Sequence, residues 1–105
     1  MELPVIAATP RSLPVEPLRV LIADDDPDTR DAMEAAVSCL GFACTTARDG
    51  AEAWQMYEED RADVILSDWT MPRMDGFELC ERVRADDRRP YTHFIFVTGN
   101  RDKSH

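Results

Sequence analysis

The centre of the sequence reads VILSDWTMPRMDG over residues 64–76. Its apolar start predicts a buried strand, and Asp68 stands where that strand ends. Pro72 and Gly76 then interrupt the chain, so a loop is expected before the next helix. A carboxylate at the end of a buried strand costs free energy unless something binds it. The sequence must therefore supply a partner for Asp68.

Apolar runs alternate with helical periodicities on both sides of this stretch. Such alternation predicts βαβ units and a parallel sheet with helices on both faces. The predicted strands are mainly apolar rather than alternating, which is typical of strands buried on both faces. We therefore expect an α/β fold with a doubly wound parallel sheet. The predicted strands are residues 18–23, 42–47, 64–66 and 93–98, and the helices begin after Asp26, Gly50 and Asp75.

The helix ends and their inward faces can also be predicted. Asp26 and Asp75 are expected N-caps, and Gly41 is expected to end the first helix. Apolar side chains spaced three and four apart indicate the faces that pack inward. These are Thr29, Met33, Ala36, Val37 and Leu40 in the first helix, Ala53, Trp54 and Tyr57 in the second, and Phe77, Cys80 and Val83 in the third.

Length and charge limit the kinds of function. A chain of 105 residues predicts one small domain, and the Pro-rich residues 1–17 predict a tail or linker before a domain over residues 18–105. The 21 acidic residues outnumber the 12 basic ones, which gives a formal net charge of -9. This balance argues against binding of nucleic acid or of an anionic membrane surface. A cation or a basic partner surface fits it better.

The cysteines and the apolar runs indicate the compartment. The chain has three cysteines, an odd number, and their spacing is not that of a metal site; they are Cys39, Cys44 and Cys80. We therefore expect buried or half-buried thiols in a reducing cytoplasm. No apolar run approaches the length of a membrane span, and the N-terminus lacks the features of a secretory signal.

Polar residues end three of the predicted strands. Asp24 and Asp25 follow the first strand, Asp68 follows the third, and Thr98 ends the fourth. The carboxyl ends of parallel strands meet at one edge of a sheet, so these groups are expected to converge. Carboxylates without nearby His or Cys suit Mg²⁺, and a carboxylate held against Mg²⁺ can accept a phosphoryl group. Thr98 could then donate a hydrogen bond to a phosphoryl oxygen.

Four motifs together resemble the receiver domain of two-component response regulators. They are LIADDDP at residues 21–27, ARDGAEAW at 47–54, VILSDWTMPRMDG at 64–76 and FIFVTG at 94–99. The resemblance extends from about Leu18 to Gly99 and keeps the spacing between the motifs. It implies the flavodoxin-like receiver fold and a phosphoaccepting signalling domain, which is not an enzyme.

The resemblance also implies a role for individual residues. Asp68 matches the phosphoacceptor, which takes its phosphoryl group from a phosphohistidine of a sensor histidine kinase or phosphotransfer protein. By the same resemblance, Asp25, Asp68 and the backbone carbonyl of Thr70 are expected to hold Mg²⁺ directly, and Asp24 mostly through water. Thr98 matches the switch residue that contacts the phosphoryl group. Of the remaining matches, Gly99 leaves room for the donor, Thr70 and Asn100 modulate loss of the phosphoryl group, and Pro72 and Gly76 shape the loop.

The C-terminal end departs from the family pattern. Receivers continue with a fourth helix, a fifth strand that carries a lysine, and a fifth helix, which residues 99–105 cannot contain. The resemblance therefore implies a receiver that is incomplete at its C-terminus, and Lys103 is expected to be solvated rather than to replace that lysine. The strand at 93–98 would then be an exposed edge, which we expect a second copy, a swapped element or a longer parent chain to cover. A monomer that leaves this strand exposed without aggregating would contradict that expectation.

Three functions remain open from the sequence. The first is phosphoryl acceptance with Mg²⁺, slowed by about 10²–10³-fold without the lysine. The second is an interaction or assembly module that does not take part in phosphotransfer. The third is a Mg²⁺-dependent phosphohydrolase, which expects an acidic residue two positions after the nucleophile. Thr70 occupies that position and argues against the third function.

Overall fold

The computed structural model describes residues 17–86 and 91–97, which form one parallel sheet flanked by helices. The strands lie in the order β2–β1–β3–β4. This arrangement confirms the predicted α/β fold. The elements are β1 (Arg19–Ala23), α1 (Pro27–Cys39), β2 (Ala43–Ala47), α2 (Gly50–Glu59), β3 (Val64–Ser67), α3 (Gly76–Ala85) and β4 (His93–Phe96).

The strand register brings the strand ends to one level. Ala23 pairs with Ala47 on β2 and with Ser67 on β3. The next residues continue these ladders, because the Asp24 N–H donates to the Ala47 carbonyl at 3.2 Å and the Asp68 N–H to the Ala23 carbonyl at 2.9 Å. The segments after β1 and β3 therefore leave the sheet side by side.

An aspartate caps the N-terminus of each helix. The side chains of Asp26, Asp49 and Asp75 accept the backbone N–H three residues further on, at 3.3, 2.8 and 2.9 Å respectively. Pro27 occupies the first position of α1, where its missing N–H costs nothing. Gly41 follows α1 with a φ of +94°, as expected for a glycine that ends a helix. The predicted caps are confirmed, and Asp49 is a further cap that was not predicted.

The core consists of two layers, one on each face of the sheet. Leu21 and Ala23 face the α2 and α3 side, whereas Val20 and Ile22 face α1. The α2–α3 layer is the larger one and also contains Tyr57, Ile65, Leu79 and Val83, whereas Val37 is the buried side chain of α1. Helices thus cover both faces, as predicted.

Three residues expected to face inward are exposed. Leu40 is 72% exposed because it is the C-cap of α1, and Ala36 also faces outward. In α3 the buried positions are Gly76, Leu79 and Val83, so Val83 faces inward as predicted, whereas the inward position predicted for Phe77 was wrong. Gly76 packs against the backbone of Asp68 and fixes the rotation of α3, which turns Leu79 inward and Phe77 outward.

The cysteines take no part in disulfides. Cys44 and Cys80 are half-buried as expected, whereas Cys39 is exposed, contrary to the prediction. Partial burial, with a smaller effect of the Glu34 carboxylate, raises the pKa of the Cys44 thiol. Over residues 17–86 and 91–97, none of the helices is long and apolar enough to cross a membrane.

Candidate metal centre

Asp24, Asp25 and Asp68 converge at the carboxyl ends of β1 and β3. Each contributes a carboxylate oxygen, and these three oxygens lie within 4.8 Å of one another. Asp24 is only 2% exposed and Asp68 only 8%. Charges of the same sign at this separation, two of them shielded from water, repel one another strongly. The arrangement therefore favours a bound cation.

The β1–α1 connection, residues 24–26, holds the first two carboxylates. The Asp26 N–H donates to Oδ1 of Asp24 at 2.9 Å. Nη1 of Arg30, one turn into α1, donates to the backbone carbonyl of Asp24 at 2.8 Å. Contacts from the start of α1 therefore fix both the side chain and the backbone of Asp24.

The β3–α3 loop, residues 68–75, holds the third carboxylate. The Trp69 N–H donates to Oδ1 of Asp68 at 2.8 Å, and the Ser67 hydroxyl donates to the Asp68 carbonyl at 2.8 Å. The Gly76 N–H donates to the Trp69 carbonyl at 2.9 Å and closes the loop. A Cβ on Gly76 would lie 2.2 Å from the Asp68 carbonyl oxygen, so only glycine permits this approach.

The donor set of the cluster fits Mg²⁺. All three groups are carboxylates, which are hard oxygen ligands, whereas zinc sites commonly include His or Cys. Mg²⁺ typically binds one or two carboxylates, keeps several waters and completes its shell with phosphate oxygens. Asp25 is the most exposed of the three carboxylates, so an incoming phosphoryl group could reach the cluster from its side.

The structure brings together part of the set that the sequence predicted. The three carboxylates meet as expected, and exposed Thr70 lies in the β3–α3 loop with Pro72. The other predicted residues lie outside the described part of the chain, namely residues 1–16 of the tail together with Thr98, Gly99, Asn100 and Lys103.

Two residues beside the cluster were not predicted from the sequence. Ser67 is fully buried and its hydroxyl contacts the Asp68 backbone, while Arg30 contacts the Asp24 backbone. Ser67 could have been identified from the sequence, because it is a hydroxyl residue at the last position of an apolar strand. No sequence pattern indicates the role of Arg30, since an arginine on an amphipathic helix is ordinarily a solvated side chain.

Aromatic side chains flank the cluster on the β4 side. Trp69 and Phe77 are exposed, with ring centroids 5.7 Å apart, and Phe96 lies 4.9 Å from Phe77. Within the described part of the chain β4 pairs only with β3, and Ile95 is exposed on it. The expectation that another element or a second copy covers this edge stays a prediction.

Comparison with known proteins identifies relatives over most of the chain. The family described as response regulator receiver domain matches residues 20–105. The response regulator MprA of Mycolicibacterium vanbaalenii is 38% identical over 66% of this chain and 30% of its own length. The probable transcriptional regulator ycf27 of Guillardia theta is 36% identical over 69% of this chain and 28% of its own length. The chain thus spans about 30% of these curated relatives.

Solved structures share the same fold. The chemotaxis response regulator CheY4 of Vibrio cholerae is 32% identical with a TM-score of 0.73, over 84% of this chain and 76% of that one. The receiver domain of the sensor histidine kinase PA1611 from Pseudomonas aeruginosa is 28% identical with a TM-score of 0.72, over 82% of this chain and 75% of that one. That receiver was solved with a magnesium ion coordinated in its active-site cleft.

Proposed function

We propose that this chain, which belongs to the response regulator receiver domain family, accepts a phosphoryl group on Asp68 with the help of Mg²⁺. Receiver domains of response regulators are signalling domains and not enzymes. The observation that carries the proposal is the convergence of the Asp24, Asp25 and Asp68 carboxylates within 4.8 Å at the carboxyl ends of β1 and β3. The magnesium ion in the PA1611 receiver supports the choice of metal.

In the proposed site the three carboxylates and the backbone carbonyl of Thr70 hold the cation. Bound Mg²⁺ supplies positive charge against the phosphoryl oxygens. Asp24 and Asp25 keep that charge at the end of β1, while the Trp69 N–H orients the Asp68 carboxylate through Oδ1. Thr98, at the end of the fourth predicted strand, is proposed to donate a hydrogen bond to a phosphoryl oxygen.

The proposed reaction is a phosphoryl transfer to a carboxylate. A carboxylate oxygen of Asp68 forms a bond to phosphorus, and the bond from phosphorus to the histidine nitrogen of the donor breaks. The nitrogen keeps the electron pair of that bond, and the product on Asp68 is an acyl phosphate. The donor would be a phosphohistidine of a sensor histidine kinase or of a phosphotransfer protein.

The other two functions receive less support. A phosphohydrolase would need an acid–base group two positions after Asp68, and the residue there is the exposed Thr70. An assembly module without phosphotransfer would have no need for three carboxylates within 4.8 Å, two of them buried.

The proposal includes where the domain is located and which partners it does not bind. The curated relatives are more than three times as long as the matched region. We infer a cytoplasmic location, which agrees with three cysteines that form no disulfide. The acidic charge supports the absence of nucleic-acid or membrane binding through this segment.

Intact-mass spectrometry after incubation with acetyl phosphate tests the proposal. We expect the wild-type chain to gain the mass of one phosphoryl group when Mg²⁺ is present and none when it is absent. Asp68→Asn should gain none under either condition, because the amide replaces the accepting oxygen.

Asp75→Asn provides the matched control. It removes a carboxylate from the same loop but retains an N-cap residue, so its gain should equal that of the wild type. Failure of the folded wild type to gain mass would contradict the proposal, as would an equal gain in Asp68→Asn.

A further inference from the structure

We propose that Arg73 is a positioning residue for the metal centre and that it acts by tying the β3–α3 loop to the β2–α2 turn. The inference rests on the proposed function, because its consequence is measured as Mg²⁺ affinity. Arg73 lies three positions after Thr70 in the loop that begins at Asp68. Its contact is with Asp49, which is 24 positions away in the sequence and on a different element.

The backbone at Arg73 adopts an unfavourable conformation. Its φ of 72° lies in the left-handed region, which residues with a Cβ rarely adopt. The Met74 N–H donates to the Pro72 carbonyl at 2.8 Å, so the chain makes a tight turn around Arg73. Glycine would adopt this turn more readily, and an arginine here suggests that its side chain has a use.

The guanidinium of Arg73 binds a carboxylate that is already fixed. Nη2 donates to Oδ2 of Asp49 at 2.5 Å, while Oδ1 of Asp49 accepts the Glu52 N–H at 2.8 Å and caps α2. The side chain of Asp49 is 8% exposed and that of Arg73 is 64% exposed. The buried partner is anchored to a helix, so the contact restrains the loop rather than the helix.

A second contact acts at the same place. A Cβ on Gly50 would lie 1.9 Å from the Met74 carbonyl oxygen, so the loop rests directly on the backbone of the β2–α2 turn. Asp49 and Gly50 together form a seat for the loop, one through a charged hydrogen bond and the other through close packing. The loop is thus fixed at Asp68, at Gly76 and where it contacts Asp49 and Gly50. Thr70 lies in the sequence between Asp68 and the residues that make this last contact.

An ordinary surface ion pair is the alternative explanation for Arg73. Such pairs contribute little to stability and nothing to a distant site. The two explanations predict opposite signs for Mg²⁺ binding. Removing a positive charge near a cation site should strengthen binding by charge alone, whereas loss of a positioning contact should weaken it.

Isothermal titration of Mg²⁺ into the wild type and Arg73→Asn decides between them. Asparagine tolerates the left-handed region, so the turn is retained while the guanidinium is lost. We expect the dissociation constant to rise by roughly three- to tenfold, at or below the lower end of what the loss of an outer contact costs a metal site. Arg73→Lys should restore most of the affinity, because lysine can also reach the Asp49 carboxylate.

Asp49→Asn tests the same contact from the other side, since asparagine still caps α2. The double variant Asp49→Asn/Arg73→Asn should bind Mg²⁺ about as tightly as whichever single variant binds it less tightly. The reason is that each substitution removes the same contact between the two side chains. Arg48→Asn is the matched control. It removes the same charge from the same turn, but Arg48 contacts Glu52 and not the loop, so the dissociation constant should not rise.

The outcomes separate the two proposals. If Arg73→Asn binds Mg²⁺ as tightly as the wild type or more tightly, the positioning role is wrong and the proposed function stands. Additive losses in the double variant would also contradict it, since they would mean that Arg73 and Asp49 act separately. If the folded wild type binds no Mg²⁺, the metal centre itself is wrong and the inference falls with it. Circular dichroism spectra of all variants should match that of the wild type.

Discussion

The two segments that carry the carboxylates are held in different ways. In the β1–α1 connection, residues 24–26, Asp26 and Arg30 fix Asp24 from positions close in sequence. The β3–α3 loop, residues 68–75, is longer, and its contacts with Asp49 and Gly50 come from a different element. One half of the metal centre is therefore specified locally, whereas the other depends on how α2 and α3 pack.

The largest effect is expected from breaking the longer segment at Gly76. A Cβ there would lie 2.2 Å from the Asp68 carbonyl oxygen and 3.0 Å from the Ser67 hydroxyl oxygen, so either the loop or α3 must move. We expect Gly76→Ala to lower the free energy of unfolding by about 2–3 kcal/mol, as overpacking typically does. Urea denaturation measures this loss, and Mg²⁺ affinity should fall with it because Asp68 is displaced.

Gly41→Ala provides the comparison for that loss. A Cβ on Gly41 would meet no atom within 4 Å, but the φ of +94° is strained for alanine. Its cost should be only about 1 kcal/mol, with Mg²⁺ affinity unchanged. Equal losses in the two variants would mean that the β3–α3 loop is not packed as closely as the structure shows.

A smaller effect is expected from the shorter segment at Asp26. Its side chain caps α1 by accepting the N–H and the hydroxyl of Thr29, at 3.3 and 2.5 Å. Asp26→Ala should lower the free energy of unfolding by about 1 kcal/mol, measured by urea denaturation.

Asp26→Asn is the control because it makes the same change in charge and still caps the helix. Both variants should bind Mg²⁺ alike, since the contact from residue 26 to Asp24 comes from the backbone N–H. A much weaker affinity in Asp26→Ala than in Asp26→Asn would show that the shorter segment also depends on its side chains.

Most of the fold and the convergence of three carboxylates could be predicted from the sequence because they follow from local rules. Apolar runs gave the strands, and Asp26 and Asp75 gave two helix starts. The rule that parallel strands present their carboxyl ends at one edge placed Asp24, Asp25 and Asp68 together.

The errors and omissions arise from tertiary contacts. The rotation of α3, which exposes Phe77, is set by the close packing of Gly76 on Asp68, and a glycine does not register in an apolar pattern. Arg73 and Asp49 are 24 positions apart, and both would be assigned to solvent on composition alone. Their contact depends on how α2 and the β3–α3 loop meet, which no local pattern encodes.

Asp68 is proposed to be the carboxylate that accepts the phosphoryl group, while Asp24 and Asp25 are proposed to hold the metal. Borohydride reduction after incubation with acetyl phosphate and Mg²⁺, followed by peptide mass mapping, tests this claim directly. An acyl phosphate is reduced to an alcohol, whereas an unmodified carboxylate is not. We predict that the alcohol appears at position 68 only, and its appearance at position 24 or 25 would contradict the account.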